Sequence, residues 1–263
     1  MNFGLEGKVA IITGGSEGIG KASAISMAEE GVHVVICARN PDTLNLAADE
    51  IRTHGSGKIL PVSADVTDSI QIEKVVAETI MEFGRLDIVV NNAGTSAGGN
   101  FETVDDEAWQ RDMDLKLFAA IRFSRLCIPH MKKVGGGRII NITNLGGKQP
   151  GANSVPTSVT RAAGIALTKA LSKDLARHNI LVNTVCIGLI KAGQHERRVL
   201  QMQNEDPSVT LDSFYNERGA AVPLGRVGEA REAGDVICFL ASERASYLTG
   251  TSINIDGGTS GAL

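Results

Sequence analysis

The sequence predicts an open α/β fold: a doubly wound parallel sheet with helices on both faces. Three observations lead there. Short β-branched apolar runs alternate with helix-period segments along the whole chain. Most of those runs are almost continuously apolar, as strands covered on both faces must be. The first run leads into a glycine-rich loop, Thr13 to Gly20, that opens a helix. The 263 residues would allow two domains, but no Pro/Ser-rich linker or charge block divides them, so one domain over 1–263 is expected.

The elements follow in order. "KVAIIT" (8–13) is the first strand, and the segment from Ala22 to Glu30 after the glycine loop is the first helix. "VHVVICA" (32–38) and "KILPVSA" (58–64) are the next strands. A helix over 70–83 leads to the strand "LDIVVN" (86–91). The long periodic stretch 105–132 reads as one helix, followed by the strand "GRIINIT" (137–143). Pro156 sets up a helix start at Thr157, running to Arg177, and "ILVNTVC" (180–186) follows. Residues 191–219 are longer than an ordinary connection. A helix over 229–242 and the strand "SINID" (252–256) close the chain.

Composition excludes several classes. A net charge of −4 gives no electrostatic case for nucleic acid or an anionic membrane. The four cysteines are scattered and never form C-x-x-C, which fits buried thiols in a reducing cytosol. No apolar stretch reaches spanning length, and "MNFGLEGKVAIITGG" has no basic start, so a cytoplasmic protein is expected. The five histidines make no metal-ligand spacing, so no metal site is expected.

In a doubly wound sheet, ligands sit beyond the carboxyl ends of the strands. "TGGSEGIG" is the first loop there. Gly14, Gly18 and Gly20 allow a tight turn and close approach of the backbone to a pyrophosphate, which the helix N-terminus attracts. The second strand ends about twenty residues on, where a ribose should lie. These residues predict a dinucleotide site.

"NNAG" (91–94), "ADVTD" (64–68) and the closing run "PLGRVGEAREAGDVICFLASERASYLTGTSINIDGG" join the glycine loop. Together they resemble the short-chain dehydrogenase/reductase family over essentially the whole chain. The resemblance implies a Rossmann-type, seven-stranded parallel sheet and a dimer or tetramer. It also implies hydride transfer between a nicotinamide cofactor and an alcohol or carbonyl. The cofactor residues it implies are Gly14, Ser16, Glu17, Gly18, Ile19, Gly20, Arg39, Asp65, Val66, Asn92, Ala93, Gly94, Arg161, Gly188 and Ile190. NADP(H) is favoured and NAD(H) possible. Ala38 stands where NAD-preferring relatives carry an acid, and Arg39 can meet a 2′-phosphate, although Glu17 opposes one.

The family's catalytic pattern, a Ser-Tyr-Lys triad with a supporting Asn, does not carry over. The serine position reads Asn144. The Tyr-x-x-x-Lys positions read Thr157 and Arg161, and the supporting Asn, seven residues past Trp109, reads Lys116. The Pro-Gly after the sixth strand reads Ile187-Gly188, and the threonine that usually meets the nicotinamide amide reads Ala192. Threonine is a far poorer acid than a lysine-assisted tyrosine, and arginine cannot relay a proton. The expectation is therefore a cofactor-binding protein with absent or atypical chemistry, such as a non-catalytic subunit. The alternative is an active oxidoreductase using a substituted proton donor, Lys116 or water. Three structural readings compete. Thr157, Ser158 and Thr160 can simply cap a helix. Lys116 and Arg161 can pair with Asp112 or Asp114. "QHERRVLQ" (194–201) can be a solvated amphipathic helix. Residues 191–219 are expected to form a substrate lid, with Phe214 and Tyr215 as candidates for an apolar wall. Val159, Ala163, Ala166 and Ala170 offer a small-residue face to a second subunit, homo- or hetero-oligomeric.

Overall fold

A computed structural model describes residues 2–262. Seven strands, β1 (Val9–Thr13), β2 (His33–Ala38), β3 (Ile59–Ser63), β4 (Ile88–Asn91), β5 (Gly137–Asn144), β6 (Ile180–Ile187) and β7 (Ser252–Ile255), form one sheet. Its order is β3-β2-β1-β4-β5-β6-β7, and every pairing is parallel. Among the described residues nine α-helices connect them: α1 (Gly18–Glu29), α2 (Pro41–Arg52), α3 (Ser69–Phe83), α4 (Asp106–Met113), α5 (Ala119–Lys133), α6 (Thr157–Leu175), α7 (Gly193–Met202), α8 (Leu211–Gly219) and α9 (Ala230–Ala241).

Alternation along the strands explains the apolar runs. In β1, Ala10 and Ile12 pack with Ala24 and Met27 of α1, Leu44 of α2 and Ile237 of α9. Val9 and Ile11 point to the other face, among Ile72 of α3, Phe123 of α5 and Leu175 of α6. The β1 side chains from Val9 to Ile12 thus alternate between two apolar layers, and neither layer tolerates a polar residue without a partner.

The strand order reverses between β1 and β4, which opens a crevice above their carboxyl ends. Thr13 ties the two strands together there: its Oγ1 accepts from the backbone N–H groups of Asn92 and Ala93, both at 2.9 Å.

The stretch 105–132 is not one continuous helix. Asp114 to Phe118 form a wide π turn between α4 and α5, and the Ala119 N–H donates to the Asp114 carbonyl. A wide turn of this kind often marks a functional site, because it re-aims the side chains on the helix. Here Asp112 and Lys116 are both buried, against the start of α6.

Candidate functional site

The glycine loop takes its shape from steric necessity. At Gly20 an added Cβ would lie 2.2 Å from the Gly14 carbonyl oxygen and 2.6 Å from Asn92 Nδ2. That Asn92 amide donates to the Thr13 carbonyl at 2.9 Å and to the Gly14 carbonyl at 3.2 Å, so "NNAG" holds the loop in place. At Gly94 a Cβ would meet Arg161 Nη2 at 2.6 Å, so a side chain there would push the guanidinium from its present place on the crevice.

Two cavities open above the switch point. The smaller, about 270 Å³, is walled by the glycine loop, Gly94, Asn144, Arg161, Gly188 and Ile190, and by Ala192 and His195 from the segment after β6. The larger, about 830 Å³, continues past the ends of β2 and β3, where Arg39, Thr43, Asp65 and Val66 line it. Ser16 lies on both, Ile19 and Asn92 on the first, and Ala93 on both. Gly20 stands behind the loop, in contact with Gly14. The Arg39 side chain is exposed and ion-pairs with no described residue.

Buried polar atoms without partners test whether a ligand belongs here. Asn144 Oδ1, Arg161 Nε and His195 Nδ1 are buried and unpartnered, and all three residues line the smaller cavity. Orphaned polar atoms are rare in folded proteins, and their convergence on one cavity points to a polar ligand. The extended shape, the glycine cradle and these polar atoms, an acceptor on Asn144, a donor on Arg161 and a ring nitrogen of His195, fit a dinucleotide with its nicotinamide end toward Asn144 and Arg161.

The four positions that the sequence resemblance assigns to the family's catalytic residues adjoin one another but divide into two pairs. Asn144 and Arg161 line the cavity wall. Arg161 Nη1 donates to the Ile142 carbonyl at 2.7 Å, and burial pushes the guanidinium down to about 10, Asp112 opposing. Lys116 and Thr157 stand behind the wall. Lys116 forms a buried ion pair with Asp112 and donates to Thr157 Oγ1 at 2.8 Å. Thr157 Oγ1 also accepts the Ala97 N–H at 3.1 Å, and Thr160 Oγ1 donates to Asp112 Oδ2 at 2.7 Å. Burial, with help from Arg161, pushes the Lys116 ammonium down to about 8 against the opposing pull of Asp112. Asp114 takes no part; it faces Arg122 at 3.5 Å and Gln110 at 2.9 Å.

Some of the lid readings change. Phe214 and Tyr215 do not wall the cavity. They pack edge to face, with ring centroids 5.6 Å apart, in a small apolar cluster with Val199 and Val227. "QHERRVLQ" lies in α7, and its solvated reading is incomplete. His195 lines the smaller cavity and Arg197 lines both. Burial first, then Arg218 and Arg198, lower the His195 pKa. Sequence periodicity cannot show which exposed face of a short helix looks inward onto a crevice, so both residues were missed.

Fold and site together define a Rossmann-type dinucleotide-binding protein. The comparisons make this specific. The family model described as enoyl-(acyl carrier protein) reductase matches residues 14–260. A 3-oxoacyl-[acyl-carrier-protein] reductase of Thermotoga maritima is 34% identical over 257 residues, covering 97% of this chain and 98% of the relative. Oxidoreductase UcpA of Salmonella typhimurium is 34% identical over 258 residues, covering 97% of this chain and 95% of that one. The crystal structure of L-sorbose reductase from Gluconobacter frateurii, complexed with NADPH and L-sorbose, superposes with a TM-score of 0.95 at 34% identity, covering 100% of both chains. The chain belongs to the short-chain dehydrogenase/reductase family, a family of oxidoreductases. Among the described residues, no helix is long and apolar enough to cross a membrane.

Proposed function

We propose that this protein is an NADP(H)-dependent oxidoreductase of a carbonyl or alcohol substrate, its proton moved by Lys116 through Thr157. One observation carries the reading: a wholly buried Lys116 ammonium hydrogen-bonds the Thr157 hydroxyl at 2.8 Å, at the position the family gives to its tyrosine. The relatives named above, which are reductases or oxidoreductases, support turnover over a purely binding role. The NADPH of the sorbose reductase complex and the unpaired Arg39 support NADP(H) over NAD(H).

A bound nicotinamide supplies hydride to a carbonyl, or takes it from an alcohol. Reduction leaves an alkoxide, which this chain must stabilise and protonate. Asn144 lines the cavity wall, and its Nδ2, which bonds no described residue, donates a hydrogen bond to that oxygen; the fixed charge of Arg161 favours it further. Thr157 Oγ1 passes its proton to the oxygen and takes one from Lys116 Nζ. Asp112, held by Thr160, keeps the lysine in line. An ammonium lowered to about 8 is a workable general acid near neutrality. The relay requires the Thr157 hydroxyl to turn from Asp112 Oδ1, 3.5 Å away, and the Ala97 segment over it to shift when substrate enters.

The test is NADPH oxidation with a panel of ketoses, ketones and 3-oxoacyl thioesters. Turnover of about 1–10³ per second is expected with at least one class. Lys116→Met should abolish it while leaving cofactor affinity intact. Full activity in Lys116→Met would sink the relay and leave water as the proton source. Cofactor binding with no turnover on any substrate favours a second reading, a non-catalytic cofactor-binding subunit. The observation behind that reading is that Lys116 and Ala97 already fill the Thr157 hydroxyl.

A further inference from the structure

We propose that Arg197 is a cofactor-binding residue that reaches from the lid to clamp the pyrophosphate, with Glu17 holding it in place. The proposal rests on the dinucleotide reading and goes beyond the glycine loop.

Its basis is where the two cavities meet. Almost all residues common to both belong to the glycine loop or to the turn Ala93–Thr95; the exception is Arg197. A dinucleotide that fills both cavities must cross this seam with its phosphates, against the N-terminus of α1. The α1 start is prepared for them: no side chain caps it, and its first turn carries no acidic residue.

The only charges on the seam are Glu17 and Arg197. Arg197 Nη1 donates to both Glu17 carboxylate oxygens, at 2.9 and 3.2 Å. Nη2 and Nε bond no described residue, so the guanidinium keeps a second edge for an anion while Glu17 holds the first. Alone, Glu17 would repel a pyrophosphate. Paired, it aims an arginine at it. The α7 backbone approaches closely to allow this: a Cβ at Gly193 would lie 2.6 Å from Glu17 Oε2. The pair is exposed, 61% and 43% at its two side chains, so its contribution to stability is small and its placement matters for ligand rather than fold.

Equilibrium titration of NADPH and of NADH, followed by cofactor fluorescence, tests the clamp in the wild type, Arg197→Ala, Arg197→Gln and Glu17→Gln. Losing a charge-assisted pair to phosphate should weaken both cofactors by a similar factor, about 10–100-fold, in both Arg197 variants. Glu17→Gln, which keeps an acceptor for Arg197 but removes the negative charge beside the phosphates, should tighten binding of both. Because the side chain is exposed, thermal melting of the free variants should match the wild type. Unchanged affinity for both cofactors in Arg197→Ala overturns the proposal. A loss confined to NADPH also overturns it, since Arg197 would then read the 2′-phosphate. A wild type that binds neither cofactor fails the dinucleotide reading itself, and the clamp falls with it.

Discussion

Lys116 concentrates the chemistry at the scale of single residues. Its ammonium is buried beside Arg161 and answered only by Asp112 and Thr157. Breaking a buried pair leaves an uncompensated charge, which costs about 3–5 kcal/mol. Asp112→Ala should therefore lower the unfolding free energy obtained from urea titration by that amount, whereas Lys116→Met with Asp112→Asn should recover much of it. The same lysine sets a pH dependence. Reduction needs the protonated amine, so its rate should fall as pH rises through about 8; alcohol oxidation needs the neutral amine and should rise over the same window. A pH profile without a limb near 8 contradicts the relay. Arg39 gives a second residue-scale expectation. Arg39→Ala should weaken NADPH by about 10-fold or more and leave NADH unaffected, since only the 2′-phosphate is lost as a partner. Equal losses would reject Arg39 as the phosphate reader.

At the scale of elements, two features position the site. The π turn between α4 and α5 turns Lys116 inward, where it meets the first turn of α6. The segment from Lys191 to Gly219 builds α7 and α8 around their own apolar cluster, Val199, Phe214, Tyr215 and Val227, separate from the two layers on the faces of the sheet. A unit with a small separate core opens more cheaply than the strands below it. Hydrogen exchange should show α7 and α8 exchanging together and earlier than β1, β4 and β5, then slowing when cofactor binds. Protection equal to the central strands in the free protein would argue against a lid.

For the whole molecule, the face of α6 carrying Val159, Ala166 and Ala170 is exposed, with Ala163 half-buried beside it. Small residues allow close helix approach, so we expect an oligomer, and sedimentation at micromolar concentration should show no dominant monomer. The core adds an alkaline limit. Burial pushes the Cys37 and Cys238 thiols up to about 12 and raises Cys127 and Cys186 as well. A group kept protonated by the fold stabilises it below its unfolded pKa of about 8.5 and loses that contribution as pH climbs toward the folded value. Stability should therefore decline from about pH 8.5 upward. The decline should be shallower in Cys37→Ala, measured as the urea midpoint against pH.

The sheet was legible because its strands are covered on both faces, which leaves unbroken apolar runs such as "KVAIIT" and "VHVVICA" that mark themselves. The glycine loop was legible for a similar reason: where a Cβ at Gly20 would sit 2.2 Å from the Gly14 carbonyl oxygen, only one residue type fits. The sequence by itself thus determined the fold class, the crevice and the family. Only the tertiary structure decided what faces that crevice. It put Asn144 and Arg161 on the wall and Lys116 and Thr157 behind it. It buried Lys116 and Asp112, its i,i+4 neighbour, together against Thr157 and Thr160, and left Asp114 facing Arg122. It also carried Arg197 about 180 residues along the chain to Glu17. Spacing along a chain records local period, whereas a site is made by elements that meet only after the sheet has closed.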